Sequence, residues 1–172
     1  TFAEWNHLLR DWTDKPEVVL NVLRKGTGTS VPVTIKILPK PMEENAHYTV
    51  QYDDVVSSGN KIRTIVTRPK SPGKHPVFFW IQGINATTVD WPLATKNAVA
   101  PLLLGMAEDG YVTVRVEKTG VGDSEGGPAA LVGWDEELDI YRQALKSLDR
   151  YDFVDRKNVF VFGHTMGGCH AP

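Results

Sequence analysis

Apolar and polar positions change their period several times along the 172 residues of this chain. Phe2, Trp5, Leu8 and Leu9 recur at helical spacing and predict a short amphipathic helix over 2–11. Val18 to Leu23 is apolar and β-prone, and Lys25-Gly26-Thr27-Gly28 reads as a turn. Val31, Val33, Ile35 and Ile37 then alternate as in a half-buried strand over 31–38. The polar, proline-containing stretch 39–45 reads as a linker.

Beyond the linker the pattern becomes that of a larger domain. Tyr48 to Val56 and Lys61 to Arg68 alternate as two strands, and Ser57-Ser58-Gly59-Asn60 predicts a four-residue hairpin loop between them. Val77–Ile81 is an unbroken apolar run, and Val112–Val116 and Val159–Phe162 are similar, as expected of parallel strands covered on both faces. Helical segments separate them. Pro101 to Asp109 offers Leu102, Leu103 and Met106, with Pro101 suited to a first turn. Asp135 to Leu148 sets Leu138, Tyr141, Leu145 and Leu148 on one face, with Asp135, Glu136 and Glu137 near the positive N-terminal end. A hairpin followed by strand-helix-strand-helix-strand predicts an α/β sheet with right-handed crossovers.

Composition narrows the function classes. Hydrophobic residues make up 41% and charged residues 23%, as in globular proteins generally. A net charge of -2 without a dense run of Lys or Arg argues against nucleic acid as a partner, because neutralising phosphates needs clustered cations. No apolar stretch approaches the roughly 20 residues of a membrane span. The single cysteine, Cys169, cannot form an intrachain disulfide or a Cys-rich zinc site. The chain starts at Thr1 with neither an initiator Met nor a signal-like segment, so the start reads as a processed or cut end and the compartment stays open.

Three stretches carry the candidate chemistry. The run Val159-Phe160-Val161-Phe162 leads directly into Gly163-His164-Thr165-Met166-Gly167-Gly168. The run 77–81 ends in Gln82-Gly83-Ile84-Asn85, and the run 112–116 leads into the glycine-rich segment Gly120-Val121-Gly122-Asp123-Ser124-Glu125-Gly126-Gly127. A phosphate loop is a poor reading of the third, which lacks the further glycine, the following helix and any Gly-Lys-Ser/Thr. Taken together, these stretches resemble the α/β-hydrolases, serine hydrolases and peptidases whose Gly-X-Ser-X-Gly nucleophile elbow follows a buried strand.

The resemblance covers 47–172 and implies the N-terminal half of such a domain: a partial α/β-hydrolase sheet, hairpin first, then parallel strands with crossover helices. It implies acyl transfer on an ester, amide or peptide bond. Thr165 takes the nucleophile position, and the N–H groups of Met166 and Ile84 bind the oxyanion, with Gly83 allowing close approach. Ser124 reads as a structural hydrogen-bonding residue. No metal and no organic cofactor is implied. Residues 1–40, a small helix-plus-hairpin segment, resemble the C-terminal part of a PDZ domain; the other reading makes them part of the main domain.

The chain departs from the family in having Thr where Ser is usual. The triad order, nucleophile then acid then His, also puts both later members beyond Pro172. His164 and His170 lie too close to Thr165, and His7, His47 and His75 precede it, so chain order assigns them structural roles. Cys169 reads as a buried thiol. This chain alone is therefore expected to be inert, with a second chain or a further C-terminal segment completing the fold. The rival reading is a non-catalytic, degenerate hydrolase fold or inactive fragment serving as a binding module.

Overall fold

The computed structural model describes residues 17–34, 41–92 and 98–171, in two compact units, Thr1–Lys40 and Pro41–Pro172. The helix expected over 2–11 lies outside the described residues. In the first unit, β1 (Glu17–Arg24) and β2 (Thr27–Thr34) form an antiparallel hairpin. Its second strand begins earlier than the alternation implied. Lys25 and Gly26 both adopt positive φ, 51° and 81°, which makes a two-residue turn and pairs Arg24 with Thr27.

The second unit holds a sheet in the order β3-β4-β6-β5-β7. Its elements are β3 (Tyr48–Ser57), β4 (Asn60–Pro69), β5 (His75–Ile81), α1 (Ala100–Glu108), β6 (Val112–Val116), α2 (Trp134–Ser147), β7 (Val154–Gly163) and α3 (Gly167–His170). β3 and β4 form the expected hairpin, but its loop has two residues rather than four. Ser58 and Gly59 take positive φ, so Ser57 and Asn60 pair directly. β4 runs antiparallel to β6, and β5 lies parallel to both β6 and β7.

Alternating side chains along these strands build one apolar layer on each face. Val77, Phe79 and Ile81 join Val112, Val114 and Val116 beneath Ile140, Tyr141, Ala144 and Leu148 of α2. Ile65 and Trp80 pack with Val89 and with Leu103 of α1. β6 is buried along its whole length. β7 is not covered as its apolar run implied: Phe160 is 51% exposed, and β5 is its partner among the described residues. Its position at the end of the described sheet accounts for this, since burial on both faces needs neighbours on both edges.

The 39–45 stretch also differs from a plain linker. Glu43 enters the second unit and meets Arg115, with Oε1 2.8 Å from one guanidinium nitrogen and Oε2 accepting from the other at 2.9 Å. The Arg115 side chain is fully buried, lies 3.8 Å over the Trp91 ring and donates to the Val89 carbonyl at 3.0 Å. A buried cation needs such partners because desolvation otherwise outweighs every local gain. Glu43→Ala should therefore lower unfolding stability by about 3 kcal/mol in urea titrations. A loss below about 1 kcal/mol would mean that Trp91 and Val89 satisfy Arg115 without it.

Candidate active site

β5 and β7 run side by side and end together, with Ile81 paired to Gly163. The chain then turns sharply from β7 into α3. His164 N–H donates to the Ile81 carbonyl at 3.0 Å, and the Gly167, Gly168 and Cys169 N–H groups each reach back three residues at 2.9 Å. Gly163 and Gly167 make this turn possible. A Cβ on Gly163 would overlap the Gly167 carbonyl, and one on Gly167 would overlap the Ile81 carbonyl.

At the apex, Thr165 adopts φ 48°. A β-branched residue rarely takes this left-handed conformation, which costs on the order of 1–3 kcal/mol. Its side chain is exposed. The Met166 N–H donates to Thr165 Oγ1 at 2.5 Å. Gly83, the second residue after β5, lies so close that a Cβ there would overlap the same oxygen. The structure thus brings Thr165, Met166 and Gly83 together. Ile84 follows Gly83 on the loop, with its side chain 71% exposed. Beside them opens a cleft of about 260 Å3 lined by Trp80, Gln82, Gly83, Asn85, Val99 and His164, among others.

No protein-family model matches the chain, and no curated protein is significantly similar to it. Solved structures are similar in fold. An α/β-hydrolase of a Penicillium species shares 15% identity, with 71% of this chain and 39% of that chain covered and a TM-score of 0.58. The fold is that of part of an α/β-hydrolase. An esterase of Pyrobaculum calidifontis shares 21% identity over 76% of this chain and 38% of its own, with a TM-score of 0.55. For acetyl xylan esterase 1 of a Thermoanaerobacterium species the values are 18%, 99%, 52% and 0.58. The chain thus spans between 38% and 52% of the length of these structures.

Other residues of the sheet and its loops fall where the sequence put them, or do not. Ser124 accepts the Arg63 N–H at 3.0 Å, a structural bond on the glycine-rich loop. Cys169 is exposed rather than buried, because α3 buries Gly167 and His170, three positions apart on one face that Cys169 does not share. His164 lines the cleft. His47 is exposed, and His75 Nε2 lies 3.0 Å from the Ser71 carbonyl oxygen. His7 lies outside the described residues.

His170 is buried in a charged cluster that the sequence did not reveal. Its ring stacks on Trp134, with centroids 3.8 Å apart, and Nε2 lies 3.8 Å from Glu137 Oε1. Lys118 Nζ meets the same carboxylate at 2.7 Å, and Tyr141 faces both the ring and Glu137. A Lys directly after a glutamate at the end of a buried strand was the available signal, since such a charge needs a partner.

Burial holds the His170 pKa below its usual value near 6.5; Lys118 pushes it the same way, while Glu137 opposes. The unfolded chain then takes up this proton at higher pH than the folded one. The stability is fully present above about pH 6.5 and is lost as pH falls below it toward the folded value. Urea midpoints should therefore drop between about pH 7.5 and pH 5.5, and His170→Phe should remove most of that drop. An equal drop in both proteins would place the sensitivity elsewhere.

Proposed function

We propose that this α/β-hydrolase sheet carries the nucleophile of an acyl-transfer hydrolase. The reading rests above all on Thr165, an exposed hydroxyl at φ 48° on a strand-to-helix turn, next to the Met166 N–H and against Gly83. A strained turn that holds a hydroxyl clear of the sheet is what a nucleophile elbow requires. Thr165 Oγ1 would attack the carbonyl carbon and pass its proton to a histidine. The carbonyl oxygen would become an oxyanion between the N–H groups of Met166 and Ile84. Collapse expels the alcohol or amine, which takes up the proton. Water then hydrolyses the acyl-threonine.

The histidine and its acid partner come, on this reading, from sequence outside residues 1–172, in a further segment or a second chain that also pairs with the open edge of β7. The substrate is a small-molecule ester or a peptide. Esters are favoured because two of the similar structures are named as esterases. Residues 1–40 we read as the end of a PDZ-like segment. The non-catalytic alternative draws its support from the Thr165 methyl group in a tight turn.

The decisive comparison is kcat/KM for Thr165, Thr165→Ser and Thr165→Ala in the full-length gene product, measured on one activated ester. Holding a β-branched side chain at this left-handed apex costs roughly 1–3 kcal/mol. At about 1.36 kcal/mol per decade, Thr165→Ser should raise kcat/KM about 5- to 150-fold, and Thr165→Ala should abolish turnover. Equal values for Thr and Ser would mean that threonine is the evolved nucleophile or that position 165 does no chemistry. Labelling by a fluorophosphonate separates those two cases. A Thr165→Ala protein as active as the wild type would end the hydrolase reading.

A further inference from the structure

The loop that carries Gly83 and Ile84 is fastened at both ends to the C-terminal end of β6. At its start, Gln82 is buried and donates from Nε2 to the Val116 carbonyl at 3.0 Å. At its far end, Glu117 Oε1 accepts the Val89 N–H at 3.0 Å and the Thr88 hydroxyl. Arg115 holds the Val89 carbonyl from the same side. Between these fixed points, residues 84–87 are exposed and have no such anchorage among the described residues. Glu117 is 1% exposed and does not line the cleft.

An oxyanion donor acts only if it is already in place when charge develops, because reorganisation at that moment cancels the gain. A short exposed loop does not stay in place by itself. A carboxylate acceptor holds backbone and hydroxyl donors about twice as strongly as a neutral oxygen. We propose that Glu117 is a positioning residue: its buried carboxylate fixes Thr88 and Val89, and so sets the Gly83–Ile84 backbone against the oxygen of a substrate attacked at Thr165. The inference rests on the hydrolase reading above. A fault in this anchorage displaces the donor from the transition state more than from the bound ester, so it falls on kcat rather than KM.

Two variants in the full-length gene product, assayed on p-nitrophenyl acetate, test this. Glu117→Gln keeps the volume but removes the charge, and Thr88→Val removes one of the two donors. Glu117→Gln should lower kcat about tenfold with KM within about twofold, as expected when an interaction made only in the transition state is weakened. Thr88→Val should lower kcat about threefold, and the double variant should be no worse than Glu117→Gln alone, because both act through one contact. An unchanged kcat, or a loss confined to KM, in a folded Glu117→Gln protein overturns the inference. If Glu117→Gln does not fold, Thr88→Val decides by the same criterion. An inactive Thr165→Ala beside an undiminished Glu117→Gln sinks this inference alone. Turnover that survives Thr165→Ala sinks the hydrolase reading and this inference with it.

Discussion

Three charged residues at and just past the end of the central strand, Arg115, Glu117 and Lys118, hold the second unit together where its chemistry would be. Burial of their charges forces each to find a partner. Arg115 draws in Glu43 and the Trp91 ring, Glu117 draws in Thr88 and Val89, and Lys118 draws in Glu137 beside His170. Three separate stretches of chain are thereby referred to one strand that is buried along its whole length. Unpaired, any of these charges would be costly enough to disrupt the packing around it. The arrangement is therefore specified by penalty as much as by attraction.

Much of this was legible in the sequence. The apolar runs at 77–81 and 112–116, the hairpin and both long helices follow directly from side-chain period, because that period is what a buried face imposes. That Gly83 lies beside Thr165 and Met166 was implied by the resemblance to α/β-hydrolases, because no local pattern links positions 82 residues apart. Hairpin loop lengths were misjudged, since the positive φ of Lys25 and Ser58 is a property of paired strands rather than of composition. Cys169 came out exposed because burial on a four-residue helix depends on what packs beside it. The charged clusters stayed hidden for a different reason. Glu43 and Arg115 are 72 residues apart, and Lys118 and Glu137 meet only once α2 lies on the sheet.

Threonine at the apex combines two opposing demands. The turn requires a left-handed backbone, which a β-branched side chain resists, while the exposed hydroxyl requires that same backbone to stand clear of the sheet. Strain of this kind persists only where the surroundings over-determine it. Here the His164 N–H bond to Ile81 and the glycine contacts leave the chain no other path.

Those glycine contacts also bear on how such a site can diversify. Gly163 and Gly167 have no space for even one more carbon, so the turn offers descent very little to vary at its flanks. His164 is the opposite: its backbone is tied to Ile81, yet its side chain is exposed on the wall of the cleft. Within a turn otherwise frozen by its own geometry, position 164 is where inherited change can reshape the cleft without disturbing the scaffold that holds it.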